Sequence, residues 1–184
     1  MTPDIFDLVA LAVAVVIAAY LMACEWAKDD NAEANRKNDK GDTSGLNHRQ
    51  LLAWRLAELF VGLGLCFLVL LWTGSTMWYL LPLAGMAWAV FGSQHVWKLN
   101  KLRGKDWRYL SPGNVWDWFW LRTNGFINRA GCMEDWNEFY SEDDNLQTKA
   151  HWQWLVHKAG NRAMIFRAVV FAVSVGGYAL ILFA

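Results

Sequence analysis

The chain has 184 residues, of which 55% are hydrophobic and 18% charged, where a soluble domain has about 45–50% and about 25%. Lysine plus arginine equals aspartate plus glutamate at 17 each, so no excess of base points to nucleic acid as a partner. The 3 cysteines, Cys24, Cys66 and Cys132, have no CxxC spacing, which excludes a zinc knuckle or a dense disulfide framework.

Four apolar runs follow one another. Residues 5–26 begin IFDLVALAVAVVIAAYLMAC, which carries one charge, Asp7, and they end at Glu25-Trp26. Residues 27–50 are a polar connector of mixed charge with no aromatic ring, and Ala32 to Lys37 could extend the first helix by a turn or two. Residues 51–73 form a second run containing Arg55 and Glu58, and residues 77–97 form a third without Asp, Glu, Lys or Arg. Residues 98–162 are a long segment rich in tryptophan, and residues 163–184 form a fourth run with a single charge, Arg167. Each run has about the length a helix needs to cross roughly 30 Å of hydrocarbon. The expected fold is therefore an all-α membrane protein with four transmembrane helices in one integral domain.

The first run could be mistaken for a signal peptide, and Leu21-Met22-Ala23-Cys24 for a lipoprotein box. However, acids and not bases precede the run. Asp4 and Asp7 suit a helix N-terminus, where the dipole favours negative charge.

Orientation follows from the cations. Every lysine and arginine lies within Lys28–Arg55 or Lys98–Arg167, and none lies in the hairpin around Gly74. The positive-inside rule puts residues 28–50 and 98–162 in the cytoplasm and both termini outside. The expected location is the inner (plasma) membrane of a bacterium, encoded by the bacterium or a phage. Lys98, Lys101, Arg103, Lys105 and Arg108 follow the third run directly and suit contact with anionic inner-leaflet lipid.

Eleven of the 13 tryptophans fall into two groups. Trp26, Trp54, Trp72, Trp78 and Trp97 mark span ends, where an amphipathic ring prefers the headgroup level. Trp116, Trp118, Trp120, Trp136, Trp152 and Trp154 fall in the 98–162 segment, which reads as short amphipathic helices. Asn114 would cap VWDWFWLRTN before a stop at Gly125. MEDWNEFY would form a second piece. A third would run from Ser141 to Lys158 and end at Gly160. These rings would lie in the lipid interface or contact partner proteins.

Ionisable groups inside spans are costly and face a bundle interior more often than lipid. An antiparallel hairpin about Gly74–Met77 sets Glu58 level with Ser93 and Arg55 level with Val96. The candidate intramembrane site is thus Arg55, Glu58, Ser93, Gln94, His95 and Arg167. A layer of structural ion pairs is the plainer account of the same residues. No metal-ligand spacing, phosphate loop or nucleophile motif occurs, so neither catalytic residue, metal nor cofactor is expected.

Small residues repeat every fourth position at Ala10–Ala14–Ala18, Gly85–Ala89–Ser93 and Ala168–Ala172–Gly176. This spacing allows close helix approach and a homo-oligomer. Three functions compete. The first is a non-catalytic assembly or accessory component that contacts itself or partner proteins through the tryptophan-rich helices. The second is an oligomeric pore, channel or holin-like protein. The third is an interfacial enzyme acting on an anionic lipid or small ligand.

Overall fold

The computed structural model describes residues 4–40, 46–110, 115–123 and 146–183. Among these it is all helical, with no strand. The helices are α1 (Ile5–Lys40), α2 (Leu46–Trp72), α3 (Leu80–Leu102), α4 (Val115–Arg122) and α5 (Leu146–Phe183), with a 3-10 turn at Met77–Tyr79 before α3. Two stretches are long and apolar enough to cross a membrane, Ile5–Ala32 and Val156–Phe183, with mean hydropathy 2.6 and 2.1. The apolar part of α2 is shorter, Ala57–Trp72. The last turns of α3 carry Ser93, Gln94, His95 and Lys98, which dilute its hydropathy.

Two helices run further than the sequence suggests. The first continues to Lys40, so much of the segment expected as a polar connector is helical on either side of residues 41–45. The last begins at Leu146 and passes Gly160 without a break. The short helix expected to end there is instead continuous with the fourth apolar run. The expected helix MEDWNEFY lies outside the described residues, as do Asn114, Gly125 and Cys132.

Helix α3 stands between α1 and α5. On α1 the buried positions are Leu8, Ala19, Ala23 and Ala27. The last three recur every fourth residue, the ridge that lets two helices approach closely. The packing stripe of α1 is therefore not Ala10–Ala14–Ala18, which is exposed. Against α5, α3 presents Gly85, where a Cβ would collide with the Ser174 hydroxyl. Moving two turns along α3, from Gly85 to Gly92, moves two turns back along α5, from Ser174 to Arg167. That register makes α3 and α5 antiparallel. The Gly85–Ala89–Ser93 stripe is thus spent, at least at Gly85 and the buried Ala89, on packing within the chain. Ala168, Ala172 and Gly176 remain exposed.

One end of the bundle is closed by Leu8, Leu70, Tyr79, Leu83, Met86 and Tyr178. The Tyr178 hydroxyl donates to the Leu8 carbonyl at 2.6 Å, and its ring lies 5.0 Å from that of Tyr79. Here α2 stops in a Schellman turn. The Gly74 N–H donates to the Leu71 carbonyl at 3.1 Å and the Ser75 N–H to the Leu70 carbonyl at 2.9 Å, with Gly74 at φ 65°. Between its ends α2 is apolar and exposed on most sides, including Phe60, Leu63 and Phe67, and Gly62 and Gly64 meet nothing.

At the other end α3 stops in a second turn of the same kind. Gly104 has φ 65°, and the Lys105 N–H donates to the Asn100 carbonyl at 2.9 Å. The buried Asn100 amide then donates to the carbonyls of Trp107 (3.3 Å) and Tyr109 (2.8 Å) and folds residues 105–110 back. This loop rests on α5 at Gly160, where any Cβ would strike the Arg108 carbonyl. Glycine at 160 answers to that close backbone approach and not to a helix end. Leu110, Leu121, Val156 and Ala159 form a second small core that docks the loop and α4 onto α5.

Candidate functional site

The polar centre of the molecule is built on α1, one turn beyond Trp26. Asp30 accepts from Arg55 Nη2 of α2 through Oδ1 at 2.6 Å and pairs with His95 Nε2 of α3 through Oδ2 at 2.9 Å. An ionised carboxylate offers only acceptors, so the His95 proton sits on Nε2. The three side chains are 21%, 13% and 17% exposed for Asp30, Arg55 and His95, enough burial for each charge to need a partner. Arg103, beyond the end of α3, adds a donor to the Asp30 carbonyl at 3.4 Å.

Trp26 supports this hub from the apolar side. Its indole N–H donates to Glu58 Oε2 at 2.8 Å, and its carbonyl accepts from Arg55 Nη2 at 3.4 Å. The Arg55 guanidinium lies over its ring, 4.8 Å from the centroid, while Arg55 Nε is buried without an acceptor. Phe91 meets Trp26 edge-on at 4.8 Å and stacks on His95 at 5.7 Å. Trp26 and Asp30 on α1 face Phe91 and His95 on α3 with the same four-residue interval. That match shows the two helices to be parallel.

Of the six residues expected at one level, Arg55, Glu58 and His95 meet here. Asp30, which holds two of them together, was expected in the polar connector. Ser93 and Gln94 are half-buried and make no hydrogen bond to the hub among the described residues. Arg167 lies on another flank of α3, with its Nε 3.1 Å from where a Gly92 Cβ would be. It is 7% exposed and donates to the Met164 sulfur at 3.6 Å. Asp117 of α4 is likewise buried, at 6% exposed.

The aromatic residues of the 98–162 segment divide by environment. Trp120 packs on Phe166 of α5, with centroids 5.4 Å apart, and so anchors α4 inside the chain. Trp154 is exposed, with Lys158 Nζ 4.6 Å from its ring centre. The side chains of Trp116, Trp118 and Trp152, and the whole of Trp136, lie outside the described residues.

The basic residues after α3 sit beside rings of their own: Lys101 over Trp97 (5.2 Å), Lys105 over Tyr109 (4.6 Å) and Arg108 over Trp107 (5.5 Å). Arg108 is also bound twice by Asp106, at 2.9 and 3.1 Å. That guanidinium holds the Asp106 carboxyl down at about 2. Burial, with Arg103 beside it, pushes the Lys105 ammonium below the usual lysine range. Lys101 and Arg103 remain exposed.

The hub's chemistry is that of a tie. Both Asp30 oxygens are taken, Glu58 is engaged by an indole, and no group of three His, Cys, Asp or Glu among the described residues could hold a metal. Compared with protein-family models, with curated proteins and with solved structures, the chain matches none.

Proposed function

We propose that the protein is a four-span component of a bacterial inner membrane that works by assembly and not by catalysis. In this reading α1, α2, α3 and the apolar part of α5 cross the bilayer. The Leu8–Tyr178 end faces outward and the Asp30 end faces the cytoplasm. The observation that carries it is the division of the molecule into two ends and a belt. Asp4 and Asp7 lie at the Leu8 end, the cations among the described residues lie near or beyond the Asp30–Arg167 level, and the belt between exposes Val13, Ile17, Leu63, Phe67, Val169 and Val173. Exposed apolar surface on that scale belongs in lipid or under another protein. The mutual neutralisation of Asp30, Arg55 and His95 favours a structural role over an open ion path.

Partners would meet the cytoplasmic face, where Phe119 and Trp154 are exposed. Because Trp120 is committed to Phe166, the informative variants are Phe119→Ala and Trp154→Ala. A complex isolated in mild detergent should lose its partner, or its second copy, in the double variant. Retention at wild-type level places the contact elsewhere.

Topology is tested separately, in a background lacking the native cysteines, with Gly41→Cys and Thr76→Cys. An impermeant maleimide applied to intact cells should label position 76 and reach position 41 only after lysis. Labelling of position 41 without lysis refutes the proposed orientation.

A further inference from the structure

Residues 98–108, KLNKLRGKDWR, carry five cations and one acid. The fold treats these charges unequally. Asp106 binds Arg108 twice, at 2.9 and 3.1 Å, so that pair cancels. Lys105 is half-buried over Tyr109. Lys101 and Arg103 are exposed, and neither meets a carboxylate among the described residues. Lys101 lies over the Trp97 ring, and Arg103 donates to the backbone carbonyl of Asp30, whose carboxylate is already held by Arg55 and His95.

The loop after α3 sets the depth of the rings beside these cations. Continued as a helix, ten residues would carry Trp107 about 15 Å beyond Trp97. Asn100 instead folds residues 105–110 back, and the Arg108 carbonyl comes to rest against Gly160. Gly85 faces Ser174 and Gly92 faces Arg167, a register that sets Gly160 level with Leu99. The backbone at Trp107 therefore returns to within about one helical turn of Trp97. Both rings are exposed, as is Leu102 between them in the chain. Tryptophan at one depth, with cations beside it, is the pattern of a membrane–water boundary.

We infer that this fold-back is a surface for anionic phospholipid, with Lys101 and Arg103 meeting the headgroups and Trp97 and Trp107 seated at headgroup depth. The inference rests on the four-span reading above and adds the lipid class and the two cations that select it. A lysine or arginine without an opposing acid is attracted to anionic lipid, worth about fivefold in partition for each charge. A zwitterionic headgroup offers no net charge to answer it. In the sequence all five cations are equivalent; the fold leaves two to carry the selectivity.

The test uses the full-length protein in micelles holding equal amounts of phosphatidylglycerol and phosphatidylcholine with the same acyl chains. Retained lipid is counted by native mass spectrometry. Wild type should retain the glycerol lipid roughly twentyfold over the choline lipid. Lys101→Gln should cut that excess about fivefold. Lys101→Gln with Arg103→Gln should abolish it. Asp106→Asn with Arg108→Gln removes two charges that cancel and should leave the excess within about twofold of wild type. Lys101→Gln breaks no hydrogen bond among the described residues, so it serves if the double variants do not fold. Equal retention of the two lipids by wild type, or an excess undiminished in Lys101→Gln, overturns the surface and leaves the patch to an acidic protein partner. An excess lost equally in the Asp106/Arg108 variant refutes the division among the cations. The cysteine labelling above separates these failures from a failure of the membrane reading.

Discussion

Asp30 follows Trp26 by one helical turn, and that interval decides what its carboxylate reaches. Trp26 packs between α2 and α3, so the next residue on the same face meets Arg55 from one neighbour and His95 from the other. Asp30→Asn removes the carboxylate that both donors, Arg55 and His95, bind. Breaking one side of a buried pair leaves the other uncompensated, and the expected loss is on the order of 3 kcal/mol. Glu58→Gln keeps an acceptor for the Trp26 indole and should cost less than about 1 kcal/mol. Thermal unfolding of the two variants in one detergent compares them, and equal losses would remove Asp30 from the centre of the hub. The sequence made Arg55, Glu58 and His95 visible because each interrupts or ends an apolar run. Asp30 was hidden in Lys28-Asp29-Asp30, a run indistinguishable from a solvated loop until α1 is known to continue through it.

At the scale of elements, the ends of helices are set by glycines with two different duties. Gly74 and Gly104 take positive φ and close α2 and α3. Gly104→Ala should therefore cost about 1 kcal/mol. Gly160 has helical neighbours on both sides and serves the Arg108 carbonyl instead. Gly160→Ala should cost about 1–3 kcal/mol by overpacking, read as faster hydrogen exchange in residues 105–110. From sequence alone a glycine after Lys158 resembles a helix stop, because close approach by a segment some fifty positions earlier leaves no local mark.

The same loop has a pH signature. The Arg108 guanidinium lowers the Asp106 carboxyl from its ordinary 3.8 to about 2 in the folded state. The contribution is fully present above 3.8 and is lost as pH falls through about 2. Exchange protection at Arg108 and Tyr109 should drop across that window, and Asp106→Asn should flatten the response. A profile unchanged by Asp106→Asn would mean that another group controls the loop.

At the scale of the molecule, three helices share close packing and the fourth does not. Helices α1, α3 and α5 meet along Ala19–Ala23–Ala27, Gly85–Ser174 and Gly92–Arg167. Helix α2 is held toward its two ends, by Arg55 and Glu58 on one side of its exposed middle and Leu70 on the other. Gly85→Leu should therefore part α3 from α5 and abolish a stable fold in detergent. A substitution at Gly62, such as Gly62→Ala, should leave the isolated chain unaffected. Hydropathy in the sequence located the apolar runs. It could not rank them by packing, because lipid-facing and bundle-facing side chains are equally apolar and only small-residue register separates them. That register was legible on α3 and misassigned on α1, where two alanine stripes compete.

The hydroxyl of Tyr178 reaches the carbonyl of Leu8 across 170 positions of chain. Tyr178→Phe should cost about 1 kcal/mol. The larger consequence concerns synthesis. When α1 leaves the ribosome, the side chain that closes its Leu8 end has not yet been made. The seam between first and last helix can seal only after α5 has been made, so a nascent chain interrupted before Tyr178 leaves its Leu8 end open.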